Sequence, residues 1–146
     1  HHTVTGGVTR FLSVKNGLER VTTERLTAVH DGARPLVGVD LIGRCFELAE
    51  ETGSAIPVIP VAESLRVTDG DGNHPVDRNQ YRIVQTPQVF RTDWLKTAYK
   101  TAYDPSFTDD ATVVERLGYR LTLTEGETKN IKITRPEDIV VAENLL

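Results

Sequence analysis

Apolar residues recur at helical spacing in five stretches of the chain. Phe11, Val14, Leu18 and Val21 lie three or four residues apart and predict an amphipathic helix. Gly53 and Gly118 are placed to end two further helices. The predicted helices cover residues 9–21, 39–52, 92–103, 109–117 and 134–146. Thr108 is expected to cap the fourth helix, and Thr134 to Glu137 form the predicted capping box of the fifth.

Short apolar runs predict buried strands at residues 26–30 and 55–61. Further strands are predicted at residues 81–85, 120–124, where apolar and polar residues alternate, and 130–133. A turn is predicted at Thr86-Pro87-Gln88. Between residues 63 and 82 the pattern changes, because Leu65 and Val67 alternate with polar residues before a turn-forming stretch, 68–73. This predicts a projecting hairpin. Its few apolar residues imply support from the body of the domain or from a partner subunit.

Strands that alternate with helices through short connections favour a parallel or mostly parallel sheet with helices on both faces. A length of 146 residues corresponds to one domain. We therefore predict a single α/β domain over residues 1–146, with a protruding β-arm at about residues 63–82.

Charge and cysteine content narrow the possible partners. The chain has 17 Lys and Arg and 21 Asp and Glu, which gives a net charge of −4. The protein therefore lacks the overall positive field by which nucleic-acid-binding proteins attract phosphate backbones. No apolar run approaches the ~20 residues of a membrane span. Cys45 is the single cysteine, which favours a buried structural thiol in a reducing cytoplasm. The chain contains no methionine, so we expect a segment to precede it, and His1-His2 are the end of a tag or a native loop.

Several polar side chains follow predicted strands, where ligands of open α/β sheets bind. They are Asp31, Arg34, Ser64 and Thr86, together with Lys132 in the last predicted strand. One carboxylate among cations and hydroxyls is typical of a site for a phosphorylated substrate and Mg²⁺.

Each of these signals also has an ordinary structural interpretation. Asp31 before Gly-Ala-Arg-Pro is typical of a turn residue, and Thr108-Asp109-Asp110 of a simple helix start. Lys132 and Lys129 could be a solvated pair, and Gly6-Gly7 is a weak sign of an anion-binding turn. Spacing alone therefore indicates only a phosphate-handling α/β enzyme.

Five segments, in order, carry a resemblance to a known family. They are Val29-His30-Asp31-Gly32-Ala33-Arg34-Pro35, Val76-Asp77-Arg78-Asn79, Gln85-Thr86-Pro87-Gln88-Val89-Phe90, Phe107-Thr108-Asp109-Asp110-Ala111 and residues 130–138. Together they resemble 2-C-methyl-D-erythritol 4-phosphate cytidylyltransferases of the non-mevalonate isoprenoid pathway. The resemblance implies a Rossmann-like nucleotidyltransferase fold and a homodimer whose β-arm reaches into the neighbouring subunit. It also implies that CTP and a polyol phosphate react in line, with loss of pyrophosphate and no covalent enzyme intermediate.

The resemblance also implies roles for individual residues. Asp31 is expected to bind the metal and to act with Lys132 in catalysis. The acceptor-binding set is Asp31, Arg34, Ser64, Arg78, Thr86 and Thr108, with Ser64 and Arg78 supplied by the other subunit. The nucleotide-binding set is Gly6, Gly7, Ser13 and Gly32, although Val8 stands where some members have aspartate.

The sequence departs from the family at its beginning, since the family opens with a strand and a glycine-rich triphosphate loop that are not found here. We expect that segment to precede His1 in the protein. Two alternatives remain open: a ribitol-5-phosphate cytidylyltransferase, which differs only in the acceptor polyol, and a non-catalytic fragment, if the loop is truly absent.

Overall fold

The computed structural model describes all residues from His1 to Leu146. Its α-helices are α1 (Arg10–Leu18), α2 (Val39–Thr52), α3 (Thr92–Ala98), α4 (Asp110–Glu115) and α5 (Pro136–Asn144). Its strands are β1 (Leu26–Val29), β2 (Ser54–Pro60), β3 (Leu65–Asp69), β4 (Gly72–Val76), β5 (Arg82–Val84), β6 (Gln88–Arg91) and β7 (Leu123–Glu125). A single 3₁₀ turn covers Arg78–Gln80. None of the helices combines the length and apolar character that a membrane crossing requires.

The central sheet is mixed and contains five strands. β6 pairs antiparallel with both β1 and β2, β5 pairs antiparallel with β2, and β7 pairs parallel with β2. β1, β2 and β7 therefore run in one direction, which is the parallel component of the predicted α/β fold. β6 was not predicted, since Gln88 was assigned to a turn and residues 89–91 to no element. It forms a strand because Val89 and Phe90 are fully buried on opposite faces of the sheet.

Two hydrophobic cores lie on the two faces of this sheet. In β2, Ala55 packs with Leu41, Cys45 and Ala49 of α2, whereas Ile56 packs with the core formed by α1, α3 and α4. Alternation along a strand buried on both sides produces this division. The predicted three-layer arrangement is present, and Cys45 is fully buried as expected.

Several local predictions were wrong at their boundaries. Residues 130–133 form an extended loop rather than a strand, and the helix predicted over 92–103 ends at Ala98. The cap of α4 is Asp109, not Thr108, because the Asp109 carboxylate accepts a hydrogen bond from the Thr112 backbone N–H. Before α5 it is Asp138, not Glu137, that accepts hydrogen bonds from the backbone N–H groups at 134 and 135.

The predicted hairpin is present as a separate two-stranded sheet. β3 and β4 pair from Leu65 with Val76 to Asp69 with Gly72, and nearly every residue of both strands is exposed. β5, which the predicted arm reaches at Arg82, belongs to the central sheet instead. The hairpin is therefore residues 65–76, and it stands apart from both cores.

Candidate functional site

The site forms where one strand of the sheet is interrupted. β5 and β6 both run along the same edge of β2, and the three residues Gln85-Thr86-Pro87 between them break the ladder. The backbone N–H of Gln85 still bonds to the Pro57 carbonyl, 2.8 Å away. Such interruptions re-aim side chains beside functional sites. Here the break opens the sheet next to the end of β1.

A polar pocket of about 250 Å³ occupies this opening. Its lining has a single hydrophobic residue, which is Val84. Five predicted site residues line it: Asp31, Arg34, Thr86, Thr108 and Lys132. The remaining lining residues are Arg10, Gln85, Gln88 and Asp109, which sequence reasoning did not assign to the site.

Asp31 lines the pocket and lies among three cations. Its Oδ2 is 3.1 Å from Lys132 Nζ and 3.6 Å from Arg34 Nε, and its Oδ1 is 3.5 Å from Arg10 Nε. Burial by itself would raise the pKa of Asp31, but Lys132, followed by Arg10 and Arg34, holds that pKa below its usual value. The carboxylate is therefore an ionised group in a locally cationic site, rather than a turn residue bonded to its own loop.

Lys132 reaches Asp31 from a loop. The backbone N–H of Ile133 donates to the carbonyl of Ala33 over 2.8 Å, which ties this loop to the segment that follows β1. The Lys132 side chain remains about half exposed. It is an accessible cation beside Asp31, and Lys129 does not line the pocket with it.

Arg34 is buried and largely committed to the protein backbone. Its Nη1 donates to the carbonyl of Asn130 over 2.7 Å, and its Nη2 to the carbonyl of Val84 over 3.4 Å. Its Nε makes no hydrogen bond and faces Asp31. With both terminal nitrogens engaged, Arg34 does not present a free fork to a phosphate, so its visible role is to hold the walls of the pocket together.

Gln85 and Asn130 fix the floor of the pocket. The Gln85 amide donates to the carbonyls of Glu127 and Asn130, and the Asn130 amide donates to the carbonyl of Thr86 over 2.9 Å. Gln85 and Thr86, which line the pocket, are buried, and Asn130 is buried as well. The Asn130 bond satisfies the Thr86 carbonyl where the strand is interrupted, and the Gln85 bonds satisfy two carbonyls of the loop after β7.

Arg10 is the most important residue that sequence reasoning missed. Its Nη1 and Nη2 donate to both oxygens of Asp110, at 3.1 and 2.6 Å, and the Tyr99 hydroxyl donates to Asp110 Oδ1 over 2.5 Å. Burial opposes the charge of Arg10, yet the Asp110 carboxylate raises its pKa. Burial and the same carboxylate raise the pKa of Tyr99, so its hydroxyl stays protonated. A pair separated by 100 residues leaves no local signal in the sequence.

Thr108 and Asp109 close the pocket on the α4 side. Asp109 uses one oxygen to cap α4 and the other to accept from the Gln88 amide over 2.8 Å. Gln88 in turn accepts from the Ala111 N–H over 2.9 Å. Thr108 therefore does not cap α4, as was predicted, but lines the pocket.

The other predicted site residues lie outside this pocket. Gly7 donates its N–H to Ser13 Oγ over 3.0 Å at the start of α1, with Gly6 beside it, and Gly32 follows Asp31 in the loop after β1. Ser64 and Arg78 are exposed at the base of the hairpin, where Arg78 donates to the Ala62 carbonyl. None of these six residues lines the pocket.

The donor set for a metal ion is small. No group of three or more His, Cys, Asp or Glu side chains is arranged to hold a metal. Magnesium in nucleotide enzymes is commonly held by one or two carboxylates together with substrate phosphate oxygens. Asp31 fits such a site as the single protein carboxylate, provided that phosphate oxygens complete the coordination.

Comparison with known proteins gives one consistent family. The family model of 2-C-methyl-D-erythritol 4-phosphate cytidylyltransferase (IspD) matches residues 2–146. A protein of that name from Porphyromonas gingivalis is 50% identical over 147 residues, covering 100% of this chain and 66% of the relative. One from Bacteroides thetaiotaomicron is 49% identical, covering 100% and 67%.

Solved structures agree with these relatives. The 2-C-methyl-D-erythritol 4-phosphate cytidylyltransferase of Thermus thermophilus superposes with a TM-score of 0.87 at 41% identity, over 97% of this chain and 71% of that one. The Francisella tularensis enzyme gives 0.83 at 30% identity, over 97% and 70%. The chain spans about two thirds of the length of the curated relatives it matches.

Proposed function

The chain belongs to the 2-C-methyl-D-erythritol 4-phosphate cytidylyltransferase family, and we propose that the polypeptide carrying it is a cytidylyltransferase of isoprenoid precursor biosynthesis. The reaction joins CTP and methylerythritol 4-phosphate into 4-diphosphocytidyl-2-C-methyl-D-erythritol and releases pyrophosphate. A phosphate oxygen of the acceptor attacks the α-phosphorus of CTP in line, and the bond to pyrophosphate breaks. The observation that carries the proposal is the polar pocket in which Asp31 lies among Lys132, Arg10 and Arg34.

Charge explains how such a pocket serves phosphate chemistry. Phosphoryl-type transfer needs positioned reactants and neutralised phosphate oxygens rather than a covalent intermediate. Lys132 is the accessible cation, and it neutralises phosphate charge as the reaction proceeds. Arg34 and Arg10 keep the Asp31 carboxylate ionised and oriented. Mg²⁺ held by Asp31 would supply further neutralisation of phosphate oxygens.

The acceptor polyol phosphate is assigned to the Thr86 and Thr108 side of the pocket. Both residues line it, and both carry hydroxyl groups suited to a polyol phosphate. The nucleotide is assigned to Gly6, Gly7, Ser13 and Gly32. The two glycines form the turn before α1 and Ser13 lies in the first turn of that helix, the same turn from which Arg10 reaches the pocket.

The hairpin supports a homodimer with shared sites. Residues 65–76 form a two-stranded sheet separate from both cores, and isolated hairpins of this kind are marginal in water. A second subunit would stabilise it, and Ser64 and Arg78 at its base would then complete the partner's acceptor site. A cytoplasmic location stays a prediction.

Substitutions of matched residues test the site assignment. In the native polypeptide that carries this chain, Asp31→Asn should lower turnover at least ~10²-fold, because the charge that orders the cations is lost. Lys132→Met should lower it strongly, whereas Lys129→Met, an exposed lysine three residues earlier, should leave it unchanged. Asp40→Asn, on the exposed first turn of α2, is the control for Asp31. Full activity in Asp31→Asn would remove Asp31 from the mechanism.

Subunit complementation tests the shared site. Arg78→Ala and Asp31→Asn are each expected to be nearly inactive alone. After subunit exchange at equal amounts, about a quarter of wild-type activity should return, because half of the dimers are mixed and each mixed dimer has one intact site. No recovery, with exchange demonstrated by mass-labelled subunits, would show that Arg78 acts within its own subunit or not at all.

A further inference from the structure

His30 is joined to the pocket through a short chain of hydrogen bonds. The His30 ring is exposed at the end of β1, and its Nε2 lies 3.0 Å from the carbonyl oxygen of Arg34. Its Nδ1 lies 3.0 Å from Oγ1 of Thr86, which is only 4% exposed. Thr86 Oγ1 also accepts from the backbone N–H of Asp31 over 3.0 Å. His30 thus bridges the loop after β1 and the break between β5 and β6.

The chemistry of these groups fixes the direction of each bond. A carbonyl oxygen only accepts, so Nε2 of His30 carries the hydrogen that points to Arg34. In the neutral ring, Nδ1 is then an acceptor, and the Thr86 hydroxyl must donate to it. The Asp31 N–H occupies one lone pair of the same oxygen. The Thr86 hydroxyl hydrogen therefore points to His30, and one lone pair of Oγ1 remains without a partner.

We propose that His30 is a positioning residue that turns the Thr86 hydroxyl into a hydrogen-bond acceptor towards the pocket. This inference deepens, and rests on, the proposed function. An ionised phosphate oxygen can only accept, whereas the hydroxyl groups of a polyol can donate. Thr86 therefore recognises a hydroxyl of the acceptor polyol rather than its phosphate, and His30 controls that preference without touching the substrate.

Two substitutions separate the two bonds that His30 makes. Asparagine places an amide oxygen near the position of Nδ1, which keeps an acceptor for Thr86 but loses the donor to Arg34. Glutamine places an amide nitrogen near the position of Nε2, which keeps the donor to Arg34 but loses the acceptor for Thr86. In the native polypeptide at about pH 8, where histidine is ordinarily neutral, we expect His30→Gln to raise the KM for methylerythritol 4-phosphate about tenfold. His30→Asn should stay within about threefold of wild type, and the KM for CTP should not change in either variant.

Thr86→Val provides the background that identifies the route of the effect. It removes the hydroxyl at similar volume, so neither His30 substitution should raise the KM further in that background. Impairment by His30→Asn with near-normal His30→Gln would overturn the proposal, because His30 would then act on the Arg34 loop. Equal impairment by both, persisting in Thr86→Val, would reduce His30 to a purely structural role.

The ring tautomer supplies a readout that does not depend on activity. In this protein labelled with ¹⁵N at histidine, His30 should show a protonated Nε2 and an unprotonated Nδ1 at about pH 8. The opposite tautomer would overturn the proposal directly. If the tautomer is as expected but methylerythritol 4-phosphate is not turned over, the proposed function fails while the orientation of Thr86 stands.

Discussion

Replacing Arg10 with methionine removes the cation that faces a fully buried carboxylate. The Asp110 side chain is 0% exposed, and Arg10 supplies two of its three hydrogen bonds. Methionine retains most of the aliphatic stem but none of the donors. Asp110 would keep only the Tyr99 hydroxyl, so an incompletely paired charge would remain in the core between α3 and α4.

The expected cost follows from that burial. Removing one partner of a buried ion pair typically costs about 3–5 kcal/mol. The Arg10 side chain is 35% exposed, so water can reach the position it leaves, and Tyr99 still donates. We therefore expect Arg10→Met to lower the free energy of unfolding by about 2–3 kcal/mol. Arg10→Lys should lower it by about half as much, since an ammonium cannot form the same two-pronged contact.

Urea denaturation with a double-mutant cycle tests this prediction. Arg20→Met, an exposed arginine just after α1, is the control and should change the free energy by no more than about 0.5 kcal/mol. Arg10→Met, Asp110→Asn and the double variant should give a coupling of at least about 1 kcal/mol. A cost below about 1 kcal/mol for Arg10→Met, or strict additivity in the cycle, would refute the interpretation of Arg10 and Asp110 as a coupled buried pair.

Three further predictions address packing, pH and substrate binding. Gly53→Ala should lower the free energy of unfolding by about 1–3 kcal/mol more than Gly118→Ala, because both glycines have positive φ but only a Cβ at 53 would clash with the Trp94 ring. Equal urea midpoints for the two variants would contradict this. Burial raises the pKa of Cys45 from 9.0 to about 11, so its thiol stabilises the fold fully below pH 9 and progressively less as the pH rises towards 11. Between pH 9 and pH 11 the free energy of unfolding should therefore decrease more steeply with pH for wild type than for Cys45→Ala. Equal slopes for the two proteins would contradict this prediction. Arg78→Ala should raise the KM for methylerythritol 4-phosphate so strongly that activity at limiting acceptor is nearly lost, with the KM for CTP nearly unchanged, and a rise confined to CTP would reassign the residue.

The sequence was informative where the signal is local. α2 was predicted at its observed bounds, because its apolar stripe and the glycine that follows it are both local features of the sequence. Gly53 ends the helix with a φ of 91°. Asp31, Thr86, Thr108 and Lys132 were expected near one another and do line one pocket. Asp31 and Thr86 follow strands, as expected, whereas Lys132 reaches the pocket from a loop and Thr108 from the residue before the cap of α4, so the motifs and not the predicted strands indicated these two.

Long-range partners could not be predicted in this way. Arg10 and Asp110 are 100 residues apart, and nothing near either residue indicates the other. β6 was missed because Gln88 is a polar residue with a turn-like context, yet it is fully buried and satisfied by Asp109 and Ala111. His30 lay in a recognised motif without an assigned role, because its hydrogen bond to Thr86 joins residues 56 positions apart in the sequence.

The most direct test of the central claim is ³¹P NMR of the native polypeptide with CTP, methylerythritol 4-phosphate and Mg²⁺. The proposed function predicts loss of the triphosphate signals and the appearance of pyrophosphate and a new diphosphodiester. With Asp31→Asn in place of the wild type, the same conversion should be at least ~10²-fold slower. Ribitol 5-phosphate in a parallel sample should react far more slowly. Unchanged CTP with methylerythritol 4-phosphate, in a folded protein, would contradict the assignment, and turnover of ribitol 5-phosphate alone would move it to the other acceptor.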